Sequence, residues 1–217
     1  MLERYTWFWQ SGFRWAHEGL TVYIDPVNVP DGYEPGDAVF ITHAHTDHLS
    51  TDDIDRLRKD DTVIVAPKDV ADGLSGQVVP VAPGDRIDVK GVKGNAVPAY
   101  NIMEHRLQSH PKENNWVGYV LELGDHTAYH AGDTDHLTEL EQIRTHLSFL
   151  PIGGGPFVMD PHEAAALARA MTPAIAVPMH FGFVEGVGTP GDADTFKREA
   201  DPVEVQILEP EVPFEFT

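Results

Sequence analysis

The chain has 217 residues, enough for one core made of two half-domains, and 41% are hydrophobic with no apolar run of transmembrane length. Its 35 acidic and 15 basic residues give a formal net charge of -20, which argues against phosphate backbones as partners. There is no cysteine, hence no disulfide framework, thiolate nucleophile or cysteine-ligated metal.

Apolar alternation and β-branched runs predict strands at RYTWFW (4–9), LTVYID (20–25), AVFIT (38–42), TVIVA (62–66), QVVPV (77–81) and RIDVK (86–90). Turn pairs such as Asp31-Gly32, Pro35-Gly36 and Pro83-Gly84 separate several of them. STDDIDRLRKD (50–60) predicts a helix: Ser50 or Thr51 caps it, acidic residues fill its first turn, and Arg56, Arg58 and Lys59 lie near its end. Beyond a polar loop (101–115), WVGYVLEL (116–123) and HTAYHA (126–131) predict a hairpin turned at Gly124-Asp125. A helix over 137–145, a strand LSFLPI (147–152) and a glycine turn (153–155) come next. MDPHEAAALARAM (159–171) predicts a helix with Asp160 as N-cap, Pro161 at the first helical position and Glu163 closing a capping box. AIAVPM (174–179) predicts a short buried strand, DADTFKREA (192–200) a helix, and VEVQIL (203–208) a last strand. Two runs of strands with helices outside them predict an α+β fold, a four-layer αβ/βα sandwich. The expected organisation is one domain of two βα halves, about 1–100 and 115–217.

The chemistry concentrates in FITHAHTDHLS (40–50). His43 and His45, two apart at a strand end, point to one side of an extended chain. Asp47 and His48 follow where the chain turns into the predicted helix, and approach from a second direction. Imidazole and carboxylate donors without sulfur suit zinc and also accommodate iron or manganese.

This His-x-His-x-Asp-His pattern resembles the signature of the metallo-β-lactamase superfamily, whose fold is the same αβ/βα sandwich. The resemblance runs nearly the full length. VYIDP (22–26) is similar to the strand-ending Asp-Pro ahead of the signature, and YHAGDT (129–134) to the segment with a bridging aspartate. LPIGG (150–154) and PMHFG (178–182) are similar to strand ends of the second half. Within the superfamily the chain most resembles the small hydrolases grouped with ascorbate-phosphate lactonases. The resemblance implies that His43 and His45 bind a first metal, that Asp47, His48 and His180 bind a second, and that Asp133 bridges both. A third histidine for the first metal has no clean match, because Tyr100-Asn101 stand where it is expected. His110 is the preferred substitute, with His105 the second candidate.

The implied cofactor is two Zn2+ per chain, with Mn2+ or Fe2+ as alternatives. A shared carboxylate offsets the repulsion of two cations, a metal-bound water ionises near neutral pH, and the second cation polarises the substrate oxygen. The expected activity is metal-dependent hydrolysis of an ester, lactone or phosphodiester of a small molecule, with Asp47 also orienting or deprotonating the water. Competing readings are a nuclease of the same fold, for which the chain is short and acidic, an iron redox enzyme, and a catalytically silent metal-binding protein. Di-iron relatives carry Glu in place of the second histidine, and residue 45 here is His.

Other side chains have plainer expected roles. Asp25 is expected to fix the histidine loop by accepting backbone hydrogen bonds, and His130 to be either a ligand-orienting partner or a satisfied core residue. His17, His126, His136, His146 and His162 are expected at the surface. Tyr5, Trp7, Phe8 and Trp9 are expected in the core. Arg106 and Lys112 are the two cations of the loop beside the site, where an anionic substrate group would meet them. The N-terminal MLERYTWFWQ lacks the features of a secretory signal, so a cytoplasmic location and no membrane association are expected. Aspartate in excess of glutamate, with scarce lysine, suggests adaptation to high salt. Composition does not specify an oligomeric state.

Overall fold

A computed structural model describes residues 1–216. The strand patterns assemble two sheets. The first holds β1 (Tyr5–Trp7), β2 (Phe13–His17), β3 (Leu20–Ile24), β4 (Gly36–Phe40), β5 (Arg58–Pro67) and β6 (Gln77–Val81), in chain order across the sheet. The second holds β7 (Arg86–Val89), β8 (Val92–Pro98), β9 (Val117–Leu123), β10 (His126–His130), β11 (Leu147–Pro151), β12 (Ile175–Met179) and β13 (Glu204–Val205), again in chain order. Each sheet starts antiparallel and finishes parallel, the change falling at β3 in the first and at β10 in the second. Parallel neighbours deliver their C-terminal ends to one edge, so the loops after β3, β4, β10, β11 and β12 leave from the ends where the site is built.

Alternation along β4 shows how the layers are held. Ala38 and Phe40 join the large core between the sheets, with Trp7, Phe13, Trp15, Tyr119 and Phe149. Val39 and Ile41 face the other way, into a second core with Ile54 and Leu57 of the helix α1 (Thr51–Leu57). A strand buried on both faces reads as a continuous apolar run, which is what AVFI is. On the far side, α3 (Pro161–Met171) buries Ala164, Ala165, Leu167, Ala168 and Met171 against the second sheet and packs beside α4 (Pro190–Glu199). The short α2 (Lys68–Ala71) follows β5. The expected four-layer sandwich is the observed one.

Several elements differ from expectation for local reasons. The strand predicted over 4–9 stops at Trp7, because a tight turn closes with Gly12 N donating to Trp9 O (2.7 Å) and Phe8 N to Gly12 O (2.8 Å). That turn sends β2, an unpredicted strand, back along β1. The predicted helix 50–60 ends at Leu57, since Arg58 already pairs with Gly36 of β4. Over 137–145 only a 3-10 turn forms, Thr138–Gln142, without a side-chain cap. Leu137, Leu140 and Ile143 recur every three residues, the spacing that aligns along a 3-10 turn and not along an α-helix. Thr189 and Asp192 cap α4 reciprocally, so it starts at Pro190. The boundary between the sheets falls between Val81 and Arg86, ahead of the 101–115 loop at which the sequence suggests dividing the chain.

Candidate metal centre

At the joined strand ends, three groups of donor atoms each lie within 4.8 Å of one another: His43, His45 and His110; His43, His48 and Asp133; and Asp47, His48 and His180. Asp133 sits between the histidines. One of its oxygens is 3.3 Å from His48 Nε2, and the other is 3.2 Å from both His110 Nε2 and His180 Nε2 and 3.9 Å from His43 Nε2. Asp47 lies 3.3 Å from His180 Nε2 and 3.8 Å from His48 Nε2. All seven side chains with expected ligand roles therefore converge. His105, the alternative to His110, is exposed and belongs to none of the three groups.

The inward aim of the rings is imposed from behind. Asp25, fully buried, accepts from Thr42 N (2.8 Å), from Thr42 Oγ1 (2.6 Å) and from His48 Nδ1 (2.7 Å). Thr42 Oγ1 in turn lies 3.0 Å from His43 Nδ1. On the opposite wall, Asn101 Oδ1 accepts from His110 N (3.1 Å) and His110 Nδ1 (2.8 Å), while Asn101 Nδ2 donates to Phe157 O (3.0 Å). In each of these rings the outer nitrogen is engaged, which fixes the tautomer that leaves Nε2 as a ligand. His180 is placed by its backbone: at φ +59 it occupies the left-handed region, and its N–H donates to Gln10 O (3.0 Å).

The electrostatics are those of a site that expects positive charge. Burial would lift the carboxyl of Asp133, but His180 and His48 hold it well below the usual range. Asp47 is likewise lowered, burial being outweighed by His48 and His180. His180 is raised to about 9, since Asp133 and Asp47 outweigh the burial that opposes its charge. His43, by contrast, is pushed well down by burial and by His48. His48 Nε2, His110 Nε2, Asp133 Oδ1 and His180 Nε2 are buried and have no hydrogen-bond partner among the described residues. Unpartnered buried polar atoms are costly, and nitrogen and carboxylate donors converging without sulfur are the set that zinc, manganese or iron satisfies. The residues fit a metal.

The remaining expectations resolve individually. His130 is a satisfied core histidine: its Nε2 donates to Ser11 O (2.8 Å) and its Nδ1 accepts from Gly132 N (3.2 Å). His126 is buried, not at the surface, because its Nε2 meets Tyr5 Oη at 2.8 Å between the sheets. His136 is half-buried and pairs with Glu141, while exposed His162 pairs with Glu199. Arg106 does not face the site. It is buried against Asp135 (2.9 Å) and Glu163 (2.7 Å), and Glu163 also makes the expected capping box of α3. Lys112 lies over the Tyr100 ring, 4.5 Å from its centroid. Beside the donors opens a cavity of about 510 Å³, lined by Trp9, Gln10, His45, Asp47, Asp133, Phe157, His180, Val184 and Val187 among others. Trp9, half-buried and packed against both cores, also lines this cavity. The approach of Trp9 and Gln10 to the cavity, and of Asn101 to His110, was the part that spacing did not reveal, since each is placed by the fold of a loop.

Comparison with known proteins accords with this geometry. A family model described as a β-lactamase superfamily domain matches residues 4–180. A UPF0173 metal-dependent hydrolase from Methanopyrus kandleri is 32% identical over 228 aligned positions, spanning 95% of this chain and 97% of its own. Among solved structures, a candidate metal-dependent hydrolase from Parabacteroides distasonis superposes with a TM-score of 0.82 at 29% identity, over 95% of this chain and 93% of that one. The metallo hydrolase Igni18 from Ignicoccus hospitalis shares the fold, with a TM-score of 0.78 at 24% identity over 98% of each chain. With the signature, the two-sheet sandwich and full-length relatives in agreement, the chain belongs to the metallo-β-lactamase superfamily, in the branch of the UPF0173 metal-dependent hydrolases.

Proposed function

We propose that the protein is a metal-dependent hydrolase with a dinuclear zinc centre, acting on an ester, lactone or phosphodiester of a small molecule. The observation that carries this reading is Asp133, whose two oxygens face histidines of both donor groups. His43, His45 and His110 would hold one ion, Asp47, His48 and His180 the other, and Asp133 both. Bound there, the ions lower the pKa of a water molecule and polarise the substrate oxygen.

The chain's own groups do the rest. Asp25, Thr42 and Asn101 keep the ligand rings oriented, so the donors need little rearrangement on loading. Asp47 is the one site carboxylate partly open to the cavity. Its lowered pKa keeps it ionised at neutral pH, which suits it to accept a hydrogen bond from water and orient it more than to hold the proton. Trp9, Phe157, Val184 and Val187 narrow the cavity and limit water around the reacting carbon. The relatives named as metal-dependent hydrolases support the reaction class, and the formal net charge of -20 weighs against the nuclease alternative.

Elemental analysis of natively purified protein, with hydrolysis assays before and after chelation, tests the reading. Two zinc ions per chain and activity that chelation removes and zinc restores are expected. Undiminished turnover in metal-stripped protein would sink it, and less than one metal per chain with no turnover would favour the silent binding protein.

A further inference from the structure

The wall of the cavity facing the donors has a composition that selects among the substrates the proposed chemistry allows. Trp9, Phe157, Val184 and Val187 form it, and among the described residues no lysine or arginine lines the cavity. The two cations of the 101–115 loop are used elsewhere: Arg106 is neutralised by Asp135 and Glu163, and Lys112 rests on Tyr100. Apart from Thr46 beside the donors, the neutral polar side chain of the lining is Gln10. It is fully buried, sits at φ +47, and neither its carboxamide oxygen nor its nitrogen has a partner among the described residues. A buried amide kept in a strained backbone conformation with both hydrogen-bonding atoms free is placed to receive a ligand's polar atoms.

Resting on the hydrolase reading above, we infer that the substrate is an uncharged carboxylic ester or lactone whose apolar substituent lies against Trp9, Phe157, Val184 and Val187. In its hydrolysis water adds to the acyl carbon, the acyl C–O bond breaks, and the alcohol leaves with a proton. Gln10 contributes a donor and an acceptor to the neutral polar head. An anionic tail or a phosphodiester gains nothing from this wall: it would lose hydration against aromatic and aliphatic surface, with no side-chain cation to replace it. The formal charge of -20 adds a long-range field of the same sign as such a substrate.

Two measurements on the zinc-loaded protein test this. The first is binding of acetohydroxamic and hexanohydroxamic acid by calorimetry, which needs no turnover. The longer acid is expected to bind at least about thirtyfold tighter, below the roughly fourfold per methylene that full burial gives. Phe157→Ala should shrink that gain. The second compares kcat/KM for p-nitrophenyl hexanoate, the hemiglutarate ester and bis(p-nitrophenyl) phosphate. The neutral ester is expected to lead each anion by at least about tenfold, and Val184→Lys should narrow its lead over the hemiglutarate. No chain-length gain in binding, a gain indifferent to Phe157→Ala, or a preference for either anion overturns the inference. If the gain in binding stands but no ester is turned over, the hydrolase reading fails and the apolar wall survives it.

Discussion

Two buried charged clusters lie side by side in this molecule, and they differ in whether they close on themselves. Arg106 meets Asp135 and Glu163, and Asp135 also accepts from Ile102 N (2.7 Å) and Met103 N (2.9 Å). That cluster uses its hydrogen-bonding capacity within the chain. The other brings five histidines and two aspartates together, and leaves four buried ligand atoms with no hydrogen-bond partner among the described residues. The two even share a loop, because Asp133 belongs to the open cluster and Asp135 to the closed one. A closed cluster fixes structure; an open one holds a place for something else. Burial and charge alone do not separate them, but the accounting of unpartnered atoms does.

The contrast can be broken from either side. The largest effect is expected from Asp133→Ala, which removes the oxygens facing both donor groups. Metal content should fall from the proposed two ions per chain to less than one, and turnover by more than the about 100-fold that loss of an outer ligand partner costs. Inductively coupled plasma analysis and an ester assay check both. Arg106→Leu attacks the closed cluster and strands two carboxylates. It should cost about 3–5 kcal/mol in denaturant unfolding, while metal per folded chain changes less than in Asp133→Ala. A variant that lost its metal without losing stability would show that the two clusters are not separate in function.

Asn101→Ala should act between these extremes. Without its oxygen, His110 Nδ1 keeps only the longer contact to Phe157 O (3.1 Å), and metal affinity should drop about 10- to 100-fold in chelator competition. Asn101→Asp keeps the acceptor for His110 but loses the donor to Phe157 O, so it should restore only part of it, and His105→Ala should leave binding unchanged. The smallest effect concerns acid stability. Burial lowers the pKa of both His126 and His130, so each is neutral when folded and binds a proton more readily when unfolded. Their contribution is present above pH about 6.5, the unfolded value, and is lost as pH falls toward the folded value. In melts of metal-free protein from pH 7 to 5, His126→Gln should lose less stability than the parent.

These differences also explain what the sequence could convey. His43, His45, Asp47 and His48 lie within six residues, so their spacing alone brought them together, and the strand-end glycines near Asp133 and His180 marked those two. Choosing His110 over His105 depends on how the 101–115 loop folds. That fold is set by Asn101 reaching Phe157 and by Arg106 reaching Glu163, contacts 56 and 57 residues apart along the chain. Strand β8 was hidden for a different reason: VKGNAVP mixes glycine, lysine and proline into an edge-like pattern, yet it pairs along its length with β9. Strand β2 was hidden by Arg14, whose charge interrupts the apolar run but faces outward to Glu34. The cavity wall was the least accessible part, since Trp9, Phe157 and Val184 come from three separate loops.

The two-residue separation of Asp133 and Asp135 has a consequence for changing this protein's substrate. Inserting or deleting a single residue there would exchange the carboxylates' surroundings, unseating the metal and Arg106 together. The 182–189 loop is under no such restraint: Val184 reaches the cavity from it, and Glu185 and Gly186 at its tip are exposed. A combinatorial library aimed at new specificity should therefore vary both length and side chains at that tip, while holding GDTD at constant length.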